Sequence, residues 1–292
     1  MMKILITGAG SYIGMSVERY LARWPEEYQV DTLDMLDENW RNADFSSYDS
    51  VFHVAGIAHS DTGAITPEQE RLYYRVNTDL AVETAHKARE EGVKRFIYMS
   101  SAIVYGNSAP LGQRKRITRE TPVNPANAYG NSKVKAEEGL LPMNCDSFRV
   151  VILRPPMIYG PGSRGNYPTL AKLAVKLPVF PKVDNERSML YIGNLAEFVR
   201  LMVDNREQGI FWPQNREYVN TARLAQLIAA AHGKKLMTVG GVAWAVKLLG
   251  KFTALVDKAF GSLSYDQKIS QYKEEYRLTD LEKSILETEG KA

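Results

Sequence analysis

The stretch Lys3-Ile4-Leu5-Ile6-Thr7-Gly8-Ala9-Gly10-Ser11-Tyr12-Ile13-Gly14 decides the fold. Its first five residues are a short apolar run rich in strand formers. From Ile13 the chain reads as a helix that stops before Pro25. Between the two lies a glycine turn. Glycine permits the tight turn and lets backbone N–H groups come close to a negatively charged ligand, which the helix N-terminus then faces. Gly14, one turn into the helix, allows the helix to pack closely on the strand.

Outward from this unit, strands and helices alternate. Gln29 to Asp34, Val51 to Ala55, Arg95 to Ser100 and Arg149 to Leu153 read as strands, and Gln69 to Glu91 as one long helix ended by Gly92. Such alternation predicts an α/β fold: a Rossmann-type, doubly wound parallel sheet covered on both faces, with a smaller C-terminal substrate lobe. From Arg154 to Pro181 the chain is rich in Pro and Gly, with one helix-like piece from Thr169 to Lys176. The expected division is 1–157 for the first domain, with the chain returning to it at about 189–204, and 158–292 for the lobe. There is no internal repeat and no low-complexity tract.

Composition removes several classes. With 292 residues, 45% of them hydrophobic, the chain can bury a large core. A net charge of +3 does not suggest a nucleic-acid partner. Cys145 is the only cysteine, which excludes a disulfide framework and argues against a cysteine-based metal site. Met1 to Thr7 reads as a strand and not as a signal peptide, and no long apolar run suits a membrane span. A cytoplasmic location is the resulting expectation. Trp244 to Phe260 reads as a helix with Trp244, Leu248, Phe252, Leu255, Val256 and Phe260 on one face and Lys247, Lys251 and Lys258 along its edge. It suits either core packing in the lobe or weak contact with a membrane surface.

Chemistry enters with Asp34, twenty residues beyond Gly14 at the end of the second strand. A carboxylate there accepts hydrogen bonds from the ribose hydroxyls of NAD and repels the extra phosphate of NADP. Asp31 and Asp37 lie close enough to leave the choice among the three open. Tyr129 and Lys133, four residues apart, share a helix face, and Ser101 follows an apolar strand, where open α/β sheets place ligands. A phenol with a pKa of about 10 is a poor base at neutral pH. A nearby ammonium and a positive nicotinamide ring would lower that value. Tyr129 would then take the proton of an alcohol while hydride leaves its carbon, with Ser101 orienting the oxygen.

Together these features resemble the extended short-chain dehydrogenases/reductases, in the NAD-dependent sugar-nucleotide epimerase/dehydratase group that includes UDP-galactose 4-epimerase. The resemblance runs from Met1 to about Glu217. It is carried by TGAGSYIG, Asp34, HVAG from His53, RVN ending at Asn77, SSAIVYG from Ser100, YGNSK from Tyr129, LRPPMIYGPG from Leu153 and RSMLYI from Arg187. It implies Ser101, Tyr129 and Lys133 as the catalytic set. It implies NAD held by Gly8, Gly10, Ser11, Tyr12, Ile13, Gly14, Asp34, Asp44 beside the adenine, Val54, Ala55, Gly56 and Asn77, with Tyr129 and Lys133. It places Ser101, Asn166 and Arg187 on a nucleotide-sugar substrate. A fixed guanidinium also suits phosphate oxygens on its own chemistry. Asn77 reads equally well as a helix-packing amide. A homodimer is left open.

The chain departs from the family pattern in places. Ser11 stands for a glycine and Met157 for an Asn. Ser188, Tyr191 and Asn194 stand for Asp, His and Asp, and Ala58, beside His59, stands for a Lys. These changes leave the hydride machinery in place and bear on the substrate. The run RPPMIYGPGSRGNYP resembles a branch with 4-keto-sugar reductases and polyprenyl-linked sugar epimerases of surface-polysaccharide pathways. Dehydratases carry an Asp-Glu pair where this chain has Ala102 and Ile103, which cannot move a proton, so 4,6-dehydration is rejected; decarboxylation fails similarly. A non-catalytic dinucleotide sensor commonly lacks the Tyr or the Lys, and both are here. The expectation is NAD-dependent 4-epimerisation of a UDP-hexose or UDP-N-acetylhexosamine through a 4-keto intermediate. The alternatives are an NAD(P)H-dependent 4-keto-sugar-nucleotide reductase and a 4-epimerase of a polyprenyl-diphosphate-linked sugar.

Overall fold

The structure is a computed structural model that describes residues 1–58, 65–241 and 260–291. His59 and the sequence helix from Trp244, except Phe260, lie outside the described residues. The chain forms two compact units, each built from discontinuous stretches. The first comprises 1–106, 122–155 and 195–213; the second comprises 107–121, 156–194 and 214–292. The segment 107–121, which the sequence reading left in the first domain, thus groups with the second unit. The return to the first unit spans 195–213 rather than 189–204.

The first unit is a six-stranded, fully parallel sheet. β1 (Met2–Thr7), β2 (Tyr28–Leu33), β3 (Ser50–His53) and β4 (Arg95–Met99) are joined by the strands Arg149–Leu153 and Gly209–Phe211. From one edge the order is Gly209–Phe211, Arg149–Leu153, β4, β3, β1, β2. Strands buried on both faces must be apolar nearly throughout: Ile4, Leu5, Ile6, Phe96, Ile97, Tyr98, Val150, Val151 and Ile152 are all buried. Strand order reverses between β1 and β3. There Val54 N and Ala55 N both donate to Thr7 O, at 3.0 and 2.9 Å. In open sheets, ligands bind at such a switch point, beyond the carboxyl ends of the strands.

The long helix expected from Gln69 to Glu91 is in fact three pieces. α2 (Pro67–Tyr74) opens with a capping box in which Thr66 Oγ1 accepts from Gln69 N and Thr66 N donates to Gln69 Oε1. A π-helical turn, Arg75–Asp79, follows, and then α3 (Leu80–Glu90). The cause is tertiary. The Asn77 carbonyl accepts from the Tyr98 hydroxyl at 3.0 Å, and the Asn77 side chain bonds to Ile57 and Ser132. Partners outside the helix therefore hold this residue in a widened turn, a form common at functional sites.

Among the described residues the second unit has three parallel two-stranded pairs: Met157–Tyr159 with Met189–Tyr191, Val179–Pro181 with Met237–Val239, and Arg116–Ile117 with Ser264–Tyr265. Among the same described residues, the helices Asn166–Lys176, Thr221–Ala231 and Leu281–Thr288 accompany them. Asn220 caps the second of these by accepting from Ala222 N and Arg223 N. Among the described residues no helix is long and apolar enough to cross a membrane.

Candidate active site

At the end of β1 the chain turns through Gly8 and Gly10, both at positive φ (108° and 74°), into α1 (Tyr12–Leu21). A Cβ on Gly8 would lie 2.7 Å from Ala55 N, so only glycine lets this turn pass beside the segment after β3. Gly8 N and Ala9 N donate to Leu33 O at 2.9 and 3.1 Å, tying the turn to the end of β2. Ser11, where the family pattern has glycine, is the N-cap of α1 and accepts from Gly14 N at 3.1 Å. Its hydroxyl satisfies one donor, while Tyr12 and Ile13 sit where a helix has N–H groups without intrahelical acceptors. Gly14 packs closely, since a Cβ there would meet Ile6 and Val54 side-chain carbons at 3.2 Å.

The geometry separates the three nearby acids. Asp31 accepts from the Tyr48 hydroxyl at 3.0 Å, and Asp37 caps a short 3-10 turn by accepting from Asn39 N. Asp34 is exposed just past β2, beside Leu33, and accepts from Leu36 N through Oδ1. Of the three acids it is the one next to Leu33, whose carbonyl takes the N–H groups of the glycine turn. Asp44 is exposed as well. Hydrogen bonds from Ser46 hold its carboxyl below the usual range. On the other side of the turn, Val54, Ala55 and Gly56 lead to Ile57, whose N–H donates to Asn77 Oδ1 at 2.9 Å while its carbonyl accepts from Asn77 Nδ2 at 3.1 Å. That paired contact fixes the segment expected to run beside the cofactor.

Tyr129 and Lys133 lie on α4 (Ala128–Leu140), whose N-cap Asn127 accepts from Gly130 N at 2.8 Å. The glycine of the YGNSK motif has a steric reason. A Cβ on Gly130 would stand 2.9 Å from Pro125 Cβ and 3.0 Å from Ile103 O, so its absence lets α4 press against the turn that carries Ser101. Ser101 itself caps the 3-10 turn Ala102–Tyr105. On either side, Ser100 N and Ala102 N donate to Leu153 O and Pro155 O, both at 2.8 Å. The structure thus brings Ser101, Tyr129 and Lys133 together at the carboxyl end of β4. Burial raises the Tyr129 phenol above its ordinary pKa; a hydrogen bond with Ser101 opposes this, and Tyr73, its ring centroid 6.0 Å away, adds to it.

One detail differs from the sequence expectation. The Lys133 ammonium does not stand on the Tyr129 phenol. Its Nζ donates to Met99 O at 2.8 Å and lies 4.7 Å from the centre of the Tyr98 ring. Burial lowers its pKa to about 8, with Glu137 pulling the other way. Depression of the phenol pKa by this ammonium is thus absent from the described arrangement.

A group that the sequence reading did not single out lies directly behind. Glu137, one helical turn beyond Lys133, accepts from Ser100 Oγ, and from Arg154 Nε at 3.1 Å and Nη2 at 2.5 Å. Arg154 Nη1 donates to the Tyr105 hydroxyl at 2.7 Å, which also accepts from Trp212 Nε1 at 2.6 Å. The available signal was periodicity: Tyr129, Lys133 and Glu137 repeat every four residues along one face.

In the second unit, Asn166 is exposed at the first position of its helix, behind Gly165 at φ 92°. Arg187 is fixed by a bridge to Val219, Arg187 N donating to Val219 O and Val219 N to Arg187 O, and burial lowers its pKa. Ser188 and Asn194, read as substrate-side departures, are buried structural groups. Ser188 Oγ donates to Gln214 Oε1 and accepts from Tyr265 N; Asn194 bonds to Asn215 and to both backbone groups of Thr279. Tyr191 donates to Glu287. These substitutions build the interior of the second unit.

Residues 4–212 match the NAD dependent epimerase/dehydratase family. The chain belongs to this family. It is 32% identical to UDP-glucose 4-epimerase of Vibrio cholerae, over 93% of this chain and 88% of that protein. It is 30% identical to an N-acetyl-alpha-D-glucosaminyl-diphospho-ditrans,octacis-undecaprenol 4-epimerase of Escherichia coli, over 64% of this chain and 54% of that one. UDP-glucuronic acid 4-epimerase from Bacillus cereus, solved in complex with NAD, shares the fold, with a TM-score of 0.74 at 17% identity over 99% of this chain and 96% of that one. As an enzyme of the NAD dependent epimerase/dehydratase family, the chain uses NAD, and its residues fit that cofactor. Gly8 and Gly10 keep the turn at the N-terminus of α1 open, where a pyrophosphate would meet free helix N–H groups, and Asp34 offers a carboxylate just past the end of β2.

Proposed function

We propose that the protein is a sugar-nucleotide 4-epimerase that acts on a UDP-hexose or UDP-N-acetylhexosamine through a 4-keto sugar. What carries the reading is the meeting of Tyr129 with Ser101 at the carboxyl end of β4, a proton acceptor beside a hydroxyl that orients it. The likeness to the Vibrio cholerae epimerase over nearly the whole chain supports the same reading.

Bound NAD supplies the acceptor and donor of hydride at C4 of the sugar. Tyr129 takes the proton of the C4 hydroxyl in the oxidative half and returns it in the reductive half, so the enzyme ends each turnover unchanged. Ser101 donates to the sugar oxygen as it becomes a carbonyl. Lys133, one helical turn from Tyr129 on the same helix, would supply the positive charge on this side of the site. Asp34 accepts from ribose hydroxyls; Asn166 and Arg187 take the diphosphate, Arg187 by charge-assisted hydrogen bonds. Ala102 and Ile103 offer no group that could expel a sugar hydroxyl, which separates the reaction from dehydration.

The relative acting on an undecaprenol-linked sugar favours a second reading, the same 4-epimerisation on a polyprenyl-diphosphate-linked sugar. One experiment tests both. The purified protein is incubated, without added cofactor, with UDP-glucose, UDP-galactose, their N-acetylhexosamine counterparts and a polyprenyl-diphosphate N-acetylhexosamine, and the products are identified. Interconversion within a UDP-sugar pair supports the first reading. Conversion of the lipid-linked sugar alone selects the second. No conversion in this panel, with turnover in a parallel incubation containing NADPH and a 4-keto sugar nucleotide, overturns both in favour of a reductase.

A further inference from the structure

We propose that Glu137 is a positioning residue of this site: its buried carboxylate anchors Ser100, the residue before Ser101, and supplies the counter-charge that keeps the Lys133 ammonium in place. The proposal rests on the reading of Tyr129, Ser101 and Lys133 as the proton-transfer set.

Ser100, Lys133, Glu137 and Arg154 are 3%, 6%, 3% and 7% exposed. Ser100 is held on both sides, its N–H on Leu153 O and its hydroxyl on Glu137. A shift of the carboxylate would therefore reach Ser101 through a single residue. Arg154 holds the carboxylate from the opposite side with Nε and Nη2, and Tyr105 holds Arg154. Glu137 is thus fixed independently of Lys133, as a reference charge must be.

The charges around Lys133 point the same way. β4 brings the Tyr98 ring and Met99 O, β3 brings neutral His53, and the π turn brings the Asn77 amide. Its own helix brings Tyr129 and Glu137. Among these described neighbours Glu137 is the acid. A buried ammonium without a counter-charge sheds its proton, and Glu137 opposes the fall caused by burial. Stability alone is a weak reason to keep such a pair. Two apolar residues of similar volume would serve the fold as well or better than a buried Glu–Arg pair.

The test reads Lys133 directly. The full-length protein is labelled with lysine carrying an isotopic label at Cε, and the Lys133 signal is assigned by its loss in Lys133→Arg and titrated by NMR. In Glu137→Gln, which keeps the shape and an acceptor for Ser100, the midpoint should fall below the parent's by about one pH unit, a tenfold change in the charged fraction above it. Glu137→Asp, which costs more packing but keeps the charge, should titrate close to the parent. The same ordering should appear in the alkaline limb of turnover on whichever sugar the panel identifies. If Glu137→Gln fails to fold, Glu137→Gln with Arg154→Met removes both buried charges and is read in the same way. An unmoved or raised midpoint in the folded neutral variant, or a fall as large in Glu137→Asp, overturns the proposal. The titration needs no substrate, so it fails or succeeds independently of the function reading, which Tyr129→Phe decides.

Discussion

Asn77 Nδ2 donates to Ser132 Oγ at 3.1 Å, and Ser132 Oγ in turn donates to Tyr129 O at 2.8 Å. The π turn is thereby tied to the helix that carries both Tyr129 and Lys133, while the same amide holds Ile57 on the other side. Asn77→Ala removes one acceptor and two donor contacts from a fully buried position. We expect a loss of about 2–4 kcal/mol in unfolding free energy, the sum of a few orphaned polar groups. Turnover should fall with it. Urea unfolding followed by fluorescence measures the first, and a loss under half a kcal/mol would show that the amide network is not what holds the turn.

Tyr129→Phe keeps the ring against Tyr73 and removes the phenol oxygen. Turnover should drop by at least ~100-fold, the low end for a positioned acid–base group, with NAD affinity close to the parent's. A variant within a few-fold of the parent would remove Tyr129 from the mechanism.

Asp34 stands exposed at the end of β2 with Oδ1 on Leu36 N. A carboxylate there repels a 2′-phosphate, so NAD should bind more tightly than NADP, and Asp34→Asn should narrow the gap. Calorimetric titration of both cofactors gives the ratio. Equal affinities in the parent would move the ribose acid elsewhere.

His53 predicts a pH response. Its ring is fully buried, stacked against Phe96 and Tyr98, with Nδ1 at 2.8 Å from Thr7 Oγ1. Burial, with the Lys133 charge adding, lowers its pKa from 6.5 to about 3. Between those values the unfolded chain takes up a proton that the folded chain refuses. Stability is therefore lost as pH falls below about 6.5, at about 1.4 kcal/mol per pH unit for this one group. His53→Phe combined with Thr7→Val, which leaves no orphaned hydroxyl, should flatten the decline between about pH 6 and pH 4 by about that slope. Parallel curves for parent and variant would place the acid sensitivity elsewhere.

β1, β3, β4 and Arg149–Leu153 were legible because they are largely buried and read as apolar runs, and the glycine turn, Ser101 and the YGNSK pair because they sit at strand and helix ends; the edge strand Gly209–Phe211, three half-buried residues, was not read. Nor was the π turn. Val76, Asn77, Thr78 and Asp79 are weak helix formers, but no Gly or Pro marks a break there; the cause is Tyr98 and Ser132, distant in sequence. Arg154 belongs with Glu137 across seventeen positions, a pairing that no local pattern announces. The packing of Ser188 and Asn194 was not legible either. They fall where the family carries other residues, which drew a substrate reading, yet each is hydrogen-bonded inside the second unit.

The sheet of the first unit also sets an order on synthesis. Its edge strand, Gly209–Phe211, emerges from the ribosome more than fifty residues after its neighbour Arg149–Leu153, and Trp212 with it. Until then the run Val150-Val151-Ile152 has an open side. Such a run is a ready template for pairing with another chain. A fragment cut after Pro155 would keep every residue expected to touch NAD and still carry that open side. Dissecting or transplanting the nucleotide-binding half therefore calls for residues 195–213 to be grafted back.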